Sequence, residues 1–257
     1  MVLEMMKTEI KEITRFPLMD LHLVIFLILV SLWMAFHPGR ATLMVANSPS
    51  EVLQMMSRKI LVMSYTSIEF LVAILTSLLV ALSIARDYER GRMHLILTLL
   101  PSRRWYLLSK IVSCSLPPTI SAVFSFLLGL LVIFVTIPLV ESIIMICIVL
   151  LLTLFYSSLT LLLSLIAKRL IPSLIISTIV ALFTNMISKT LVYFELHKIP
   201  TFSIIPPLCY RTVLTISFNM GPNSINPYVL IPISVTYIIV LLLASNYYFN
   251  NIMEVGK

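Results

Sequence analysis

Six stretches of the chain, residues 18–36, 60–85, 111–137, 143–167, 171–188 and 228–249, are continuously apolar apart from scattered polar side chains. About 20 such residues in helical form span the roughly 30 Å hydrocarbon core of a bilayer. Strands of a membrane barrel are shorter and alternate in character, so runs this long predict helices. Only 11% of the 257 residues are charged and 60% are hydrophobic. A soluble domain is about a quarter charged, which excludes an ordinary globular enzyme or a soluble binding module. The predicted fold is an all-α membrane protein with six transmembrane helices, organised as one transmembrane domain over residues 1–257.

Orientation follows from the distribution of Lys and Arg. With the N-terminus inside, the cytoplasmic side holds Lys7, Lys11, Arg15, Arg86, Arg90, Arg92, Arg103, Arg104, Lys110, Lys168, Arg169 and Lys257. The outer side keeps Arg40, Arg58, Lys59, Lys189, Lys198 and Arg211. Two basic residues inside for each one outside predict a multi-pass protein of the cell membrane with both termini cytoplasmic. The same bias accounts for the net charge of +7, so no nucleic-acid partner is implied.

Residues 1–17 do not resemble a secretory signal, because their charges alternate in sign instead of preceding an apolar run. Leu3, Met6, Ile10 and Ile13 recur at helical spacing among Glu4, Lys7, Lys11, Glu12 and Arg15. That pattern predicts an amphipathic helix in the inner interface. Cys114 and Cys147 fall in spans and Cys209 is alone in an outer loop, so neither a disulfide framework nor a metal site is expected.

The connections differ in length. Residues 37–59 form a polar outer loop, a hairpin around Pro138 and Glu141 joins spans three and four, and 168–170 tightly link spans four and five. Short links make spans three, four and five consecutive antiparallel neighbours. The outer segment 189–227 is long. Within it 203–218 is apolar, too short to cross and cut by Pro206 and Pro207, which predicts a re-entrant or interfacial element capping the outer face.

Polar residues run in stripes along the spans. Span two carries Tyr65, Thr66, Glu69, Thr76 and Ser83 on one face; span four carries Thr153, Ser157, Thr160 and Ser164; span five carries Ser173, Ser177, Thr184, Asn185 and Ser188. Two readings stand: small polar residues that hold helices together, or a translocation path, for which Tyr65, Thr66, Glu69 and Thr76 are the candidates. Glu69 lies nine residues beyond Ile60, about 14 Å into the span. A charge at that depth costs about 3 kcal/mol and must face the interior, be paired or be protonated. It is either a substrate or proton site, or a neutral acid bonded to Tyr65 or Thr66. In span three Pro117 and Pro118 remove two backbone donors, marking a bend, break or hinge, with Ser113, Ser115 and Thr119 placed to bond the freed carbonyls.

The most polar long stretch is "ARDYERGRMHLILTLLPSRRWYLLSK", residues 85–110. Arg86, Asp87, Glu89 and Arg90 continue span two as a charged turn, and Gly91 is placed to end it in a left-handed cap. Met93 to Leu100 read as a short apolar helix stopped by Pro101. Ser102 is an N-cap for the next helix, and Arg103 and Arg104 reach phosphate-headgroup level.

The pattern acidic–x–acidic–x–Gly, an apolar run, then Leu-Leu-Pro-Ser-Arg and Lys resembles the loop of type 2 ABC-transporter permeases, usually Glu-x-Gly-Thr-Leu-x-x-Leu-Leu-x-x-Pro-x-x-Arg with a following Lys. Glu89, Gly91, Leu97, Pro101, Arg104 and Lys110 match it, while Arg92-Met93 replaces the usual Thr-Leu. The resemblance implies that residues 86–110 hold a cytoplasmic coupling helix docking on a separate ATPase, with Asp87, Glu89, Gly91, Leu97, Pro101, Arg103, Arg104 and Lys110 as the coupling residues. It further implies an exporter of two permease chains, identical or different, and two ATPase subunits that hold ATP and Mg. The five glycines, at positions 39, 91, 129, 221 and 256, include no pair spaced for a phosphate-binding loop. This chain is thus expected to bind no cofactor and to be no enzyme. An ion-gradient-driven transporter using Glu69 is the alternative, though no convincing inverted repeat is visible. A membrane scaffold subunit without transport is another. An intramembrane enzyme lacks His-Glu-x-x-His, Gly-x-Ser-x-Gly and any acid pair.

Overall fold

The computed structural model describes residues 50–99, 103–133, 139–194, 204–217 and 227–251, with Glu4, Lys7, Thr8, Lys11, Val24, Ile25 and Ile28 nearer the N-terminus. The amphipathic helix of 1–17 and span one therefore lie largely outside the described residues, as do Pro101 and Ser102.

Every described element is helical: α1 (Ser50–Glu89), α2 (Arg92–Leu99), α3 (Arg103–Ile133), α4 (Leu139–Ala167), α5 (Leu170–Tyr193), α6 (Leu208–Ser217) and α7 (Pro227–Asn251). Five of them, α1, α3, α4, α5 and α7, contain segments long and apolar enough to cross a membrane. They correspond to predicted spans two to six.

The boundaries needed two corrections. Residues 50–59 are not loop but the first turns of α1, a 40-residue helix. Glu, Leu, Gln, Met and Lys fill these turns and are good helix formers. Because the segment is too polar to register as a span, apolar windows miss it. Glu141, expected in a hairpin, lies in the first turn of α4.

α1 is the hub. It packs along α4 and α5, also touches α3 and α6, and carries α2 at its end. The short links do make α3, α4 and α5 successive packed neighbours, and α7 closes the bundle against α4. One core cluster is built around Tyr65, Ile68, Val72, Phe126, Leu152 and Tyr156, with Tyr210 and Leu214 of α6 inserted into it. A second, toward the α2 end, joins Ile84, Met93, Tyr106, Ile111, Leu165 and Phe249. The outward faces of α5 and α7 expose Ile175, Ile179, Phe183, Ile239, Val240 and Leu243. In a membrane those apolar faces meet lipid tails, not water.

α3 runs without a break from Arg103 to Ile133 with Pro117 and Pro118 inside it. The prolines free the carbonyls of Ser113 and Cys114, four residues back. The nearby hydroxyls bond different carbonyls: Ser115 Oγ donates to Val112 O at 3.3 Å, and Thr119 Oγ1 to Ser115 O at 2.7 Å. The expected repair by flanking hydroxyls is therefore displaced by one or two residues, and the predicted break is absent.

Between α1 and α2 the chain turns at Gly91, which takes the left-handed conformation at φ 68°. A Cβ placed there would meet no atom within 4 Å, so glycine is required by backbone conformation and not by space. Gly91→Ala is expected to destabilise the fold by about 1 kcal/mol, the lower end of the left-handed penalty. Gly91→Asn should lose less, because asparagine tolerates that region. Unfolding titrations in mixed detergent micelles check both, and an alanine variant as stable as the parent contradicts the conformational argument.

Candidate functional site

Two polar clusters lie in the bundle, one at the α2 end and one beneath α6.

At the α2 end, the helical course of α1 places Ser83 and Asp87 one turn apart, facing Tyr106 and Lys110 on α3. Lys110 Nζ lies 2.6 Å from Asp87 Oδ2 and donates to Ser83 Oγ at 2.9 Å. The Tyr106 hydroxyl donates to the same carboxylate oxygen at 3.1 Å. The ammonium also sits 5.5 Å from the centre of the Tyr106 ring, and that ring stacks on Phe249 of α7. Asp87 and Lys110 are both buried. Together they clamp the last turns of α1 to the first turns of α3, on either side of α2.

Glu89 does something different. Its carboxylate is exposed, and Oε1 accepts the backbone N–H of Leu170, the first residue of α5, at 2.7 Å. It caps α5 from outside its own helix, across a link in which Lys168 has φ 57°. A carboxylate at a helix N-terminus is favoured by both the orphan amide and the dipole.

Of the other residues expected to couple, Leu97 packs half-buried on the second core cluster beside Met93 and Tyr88. Arg103 opens α3, and Arg104 is exposed. Pro101 lies outside the described residues. α2 itself packs chiefly on α1 and α3, leaving Arg92 and Thr98 exposed. The motif thus splits into buried residues that hold helices together and exposed ones at its surface.

Beneath α6 the decisive contact is one the sequence reading did not anticipate. Arg211 NH2 donates to Glu69 Oε2 at 3.0 Å and to Thr66 Oγ1 at 3.1 Å. Glu69 is fully buried and Arg211 nearly so. Glu69 is therefore neither bonded to Tyr65 nor left as an isolated acid; it is half of an ion pair between α1 and α6. A signal was present. Arg211 stands alone among Leu208, Cys209, Tyr210, Val213 and Leu214, and a lone cation in a short apolar helix needs an anion close by.

Buried polar atoms without a partner among the described residues include Arg211 Nε and the hydroxyls of Tyr65, Tyr210, Thr76, Ser113, Ser121, Ser125, Ser157 and Ser177. Tyr210 and Phe155 approach with ring centres 6.2 Å apart, so α6 and α4 meet here. The stripes divide accordingly. Thr160 donates to Ser77 at 3.1 Å, Ser173 to Ser164 at 2.8 Å, and Thr119 and Thr153 share a bond of 2.8 Å. Those are helix-to-helix contacts of about 0.6 kcal/mol each. Of the other stripe residues, Thr66 and Ser83 accept from Arg211 and Lys110, Thr184 donates to its own helix, and Tyr65, Thr76, Ser157 and Ser177 have hydroxyls without a partner among the described residues.

Removing one member of a buried ion pair strands the other, at a cost of about 3–5 kcal/mol. Arg211→Met should therefore lower the unfolding midpoint in detergent strongly, whereas the Glu69→Met/Arg211→Met double variant should recover most of the loss. A double variant no better than the single one contradicts the pairing.

Comparison with known families gives one match. Residues 4–252 fit the model of a family described as ABC-2 family transporter protein. No curated protein matches the sequence.

Proposed function

The chain belongs to the ABC-2 transporter family, and from that premise we propose that it is the permease subunit of an ATP-driven exporter working with a separate ATPase. A single observation carries the proposal: the family match covers nearly the whole chain. The geometry at the α2 end supports it. There an eight-residue helix is set off from α1 by Gly91 and flanked by the Asp87–Lys110 clamp, while Arg92 and Thr98 face outward.

In this reading α2 is the coupling helix and the α2 end is cytoplasmic, as the basic residues of that end require. Two such chains and two ATPases form the transporter. ATP and Mg bind the partner, and this chain contributes no catalytic group. When the ATPases close, α2 is pushed. Because α1 and α3 are clamped at its two ends, the push moves them as a pair and does not bend the loop.

Substrate then passes through the dimer as the bundles alternate between inward- and outward-facing forms. α6 caps the outer side, and the Glu69–Arg211 pair fixes it to α1. Pro117 and Pro118, where α3 lacks two backbone bonds, are the place where that helix gives most easily. The ion pair also bears on the alternative. A proton-coupled carrier built on Glu69 needs a carboxylate free to gain and lose its proton, whereas here its Oε2 is held by Arg211 at 3.0 Å.

Purification from gently solubilised membranes is expected to recover an ATPase with the intact chain. The Arg92→Glu/Thr98→Trp variant, altered on the exposed side of α2, should lose it while still purifying as a folded, monodisperse species in detergent. Recovery of no ATPase by the folded parent overturns the proposal. Equal recovery with the variant removes α2 as the docking element.

A further inference from the structure

α3, α4 and α7 leave between them an apolar cavity of about 370 Å³, lined by Leu107 and Ile111 of α3, Leu161 of α4 and Leu242 of α7. That volume falls within the roughly 300–1,000 Å³ of ordinary small-molecule sites. Its polar lining is confined to one end, where Arg104 and Asn246 stand. Arg104 opens the first turns of α3 and Asn246 lies in the last turns of α7, so both mark the α2 end of the bundle. Leu107 and Ile111 follow Arg104 by three and seven residues, so the greasy part extends about 10 Å along α3 away from it.

The chemistry at the polar end is one-sided. Arg104 is exposed and has no hydrogen bond or ion pair among the described residues. The Asn246 carbonyl is taken by Asn250 Nδ2 at 2.9 Å, which leaves its NH2 group as donor. No carboxylate lines the cavity. A guanidinium and an amide donor at membrane-surface depth, above a greasy slot pointing into the bilayer, complement a phosphate ester joined to a hydrocarbon chain.

We propose that this cavity is a binding site for an anionic phospholipid of the leaflet facing the α2 end. Its phosphate bonds Arg104, its glycerol ester accepts from Asn246, and one acyl chain lies along Leu107, Ile111, Leu161 and Leu242. The site sits against the coupling machinery. Leu107, Ile111 and Leu161 belong to the same core cluster as Met93 of α2, Tyr106 and Phe249. A bound lipid therefore fills the space behind the residues that seat α2, and charge selects it over zwitterionic lipids. The proposal does not depend on which substrate, if any, the protein carries.

The test is photolabelling of the full-length chain in phosphatidylcholine vesicles. They are doped either with phosphatidylglycerol bearing a diazirine in one acyl chain, or with the matching phosphatidylcholine probe. The anionic probe is expected to label peptides containing residues 107–111 and 239–243 more than the zwitterionic one does. Arg104→Gln should lower that labelling about five-fold, the equivalent of about 1 kcal/mol for one basic residue at the headgroup. Labelling of the outward face of α5 should stay unchanged in the same sample, which controls for folding, and Arg104→Lys should retain most of the signal. Equal labelling by both probes, or no response to Arg104→Gln, overturns the site. So does absence of label there together with cross-linking of a Leu243→Cys variant to residues 18–36 or to a second copy, because protein then fills the cavity.

Discussion

A carboxylate fully buried among apolar helices must find a positive charge, and in this bundle it finds one 142 residues away. Glu69 on α1 and Arg211 on α6 each cost about 3 kcal/mol to bring into hydrocarbon alone. Neither location is tolerable without the other. The pair therefore fixes more than its own energy. It draws a ten-residue helix, too short to cross the membrane, down onto α1, α4 and α5. Buried ion pairs are poor sources of stability compared with apolar packing of the same volume. What this one supplies is position: with it, α6 has one place and one rotation in which its only cation is satisfied.

The second buried pair repeats this logic at the opposite part of α1. Asp87 lies 18 residues beyond Glu69, about 27 Å along an α-helix. One continuous helix thus carries an acidic residue paired to α6 toward one end of its apolar segment and another paired to α3 toward the other. Each pair adds neighbours, since Arg211 reaches Thr66 and Lys110 reaches Ser83. α1 stays helical from Ser50 to Glu89, so unbroken helix joins the two pairs.

How much of this the sequence disclosed varied with the range of the interaction. Elements set by local composition were legible: the apolar runs of α1, α3, α4, α5 and α7, the left-handed turn at Gly91, and the short helix after it. Boundaries failed where a helix continued into polar residues, as at 50–59, because apolar windows detect hydrocarbon contact and not hydrogen bonding. The motif at 85–110 led to the family that the chain matches, yet the roles of its members were not separable. In a linear reading Asp87 and Glu89 are two equivalent acids. In three dimensions one is buried against Lys110 and the other caps α5, because two residues turn a helix through about 200° and point them to opposite sides. The Glu69–Arg211 contact was illegible for a different reason. Both charges stood out individually, but nothing local says which of two isolated residues will meet.

The distribution of unsatisfied polar atoms carries the argument further than the pairs do. Buried polar groups in folded proteins nearly always find partners, and several do so here, through Ser77–Thr160 and Ser164–Ser173. Others do not: the hydroxyls of Tyr65, Tyr210, Thr76, Ser113 and Ser177 have no partner among the described residues. Idle donors and acceptors in apolar surroundings cost about 1–3 kcal/mol each. A bundle that needed them only as glue would be better served by alanine or leucine. Read along single helices the stripes therefore mix two kinds of residue, some that bond a neighbouring helix and some whose hydroxyls find no partner among the described residues.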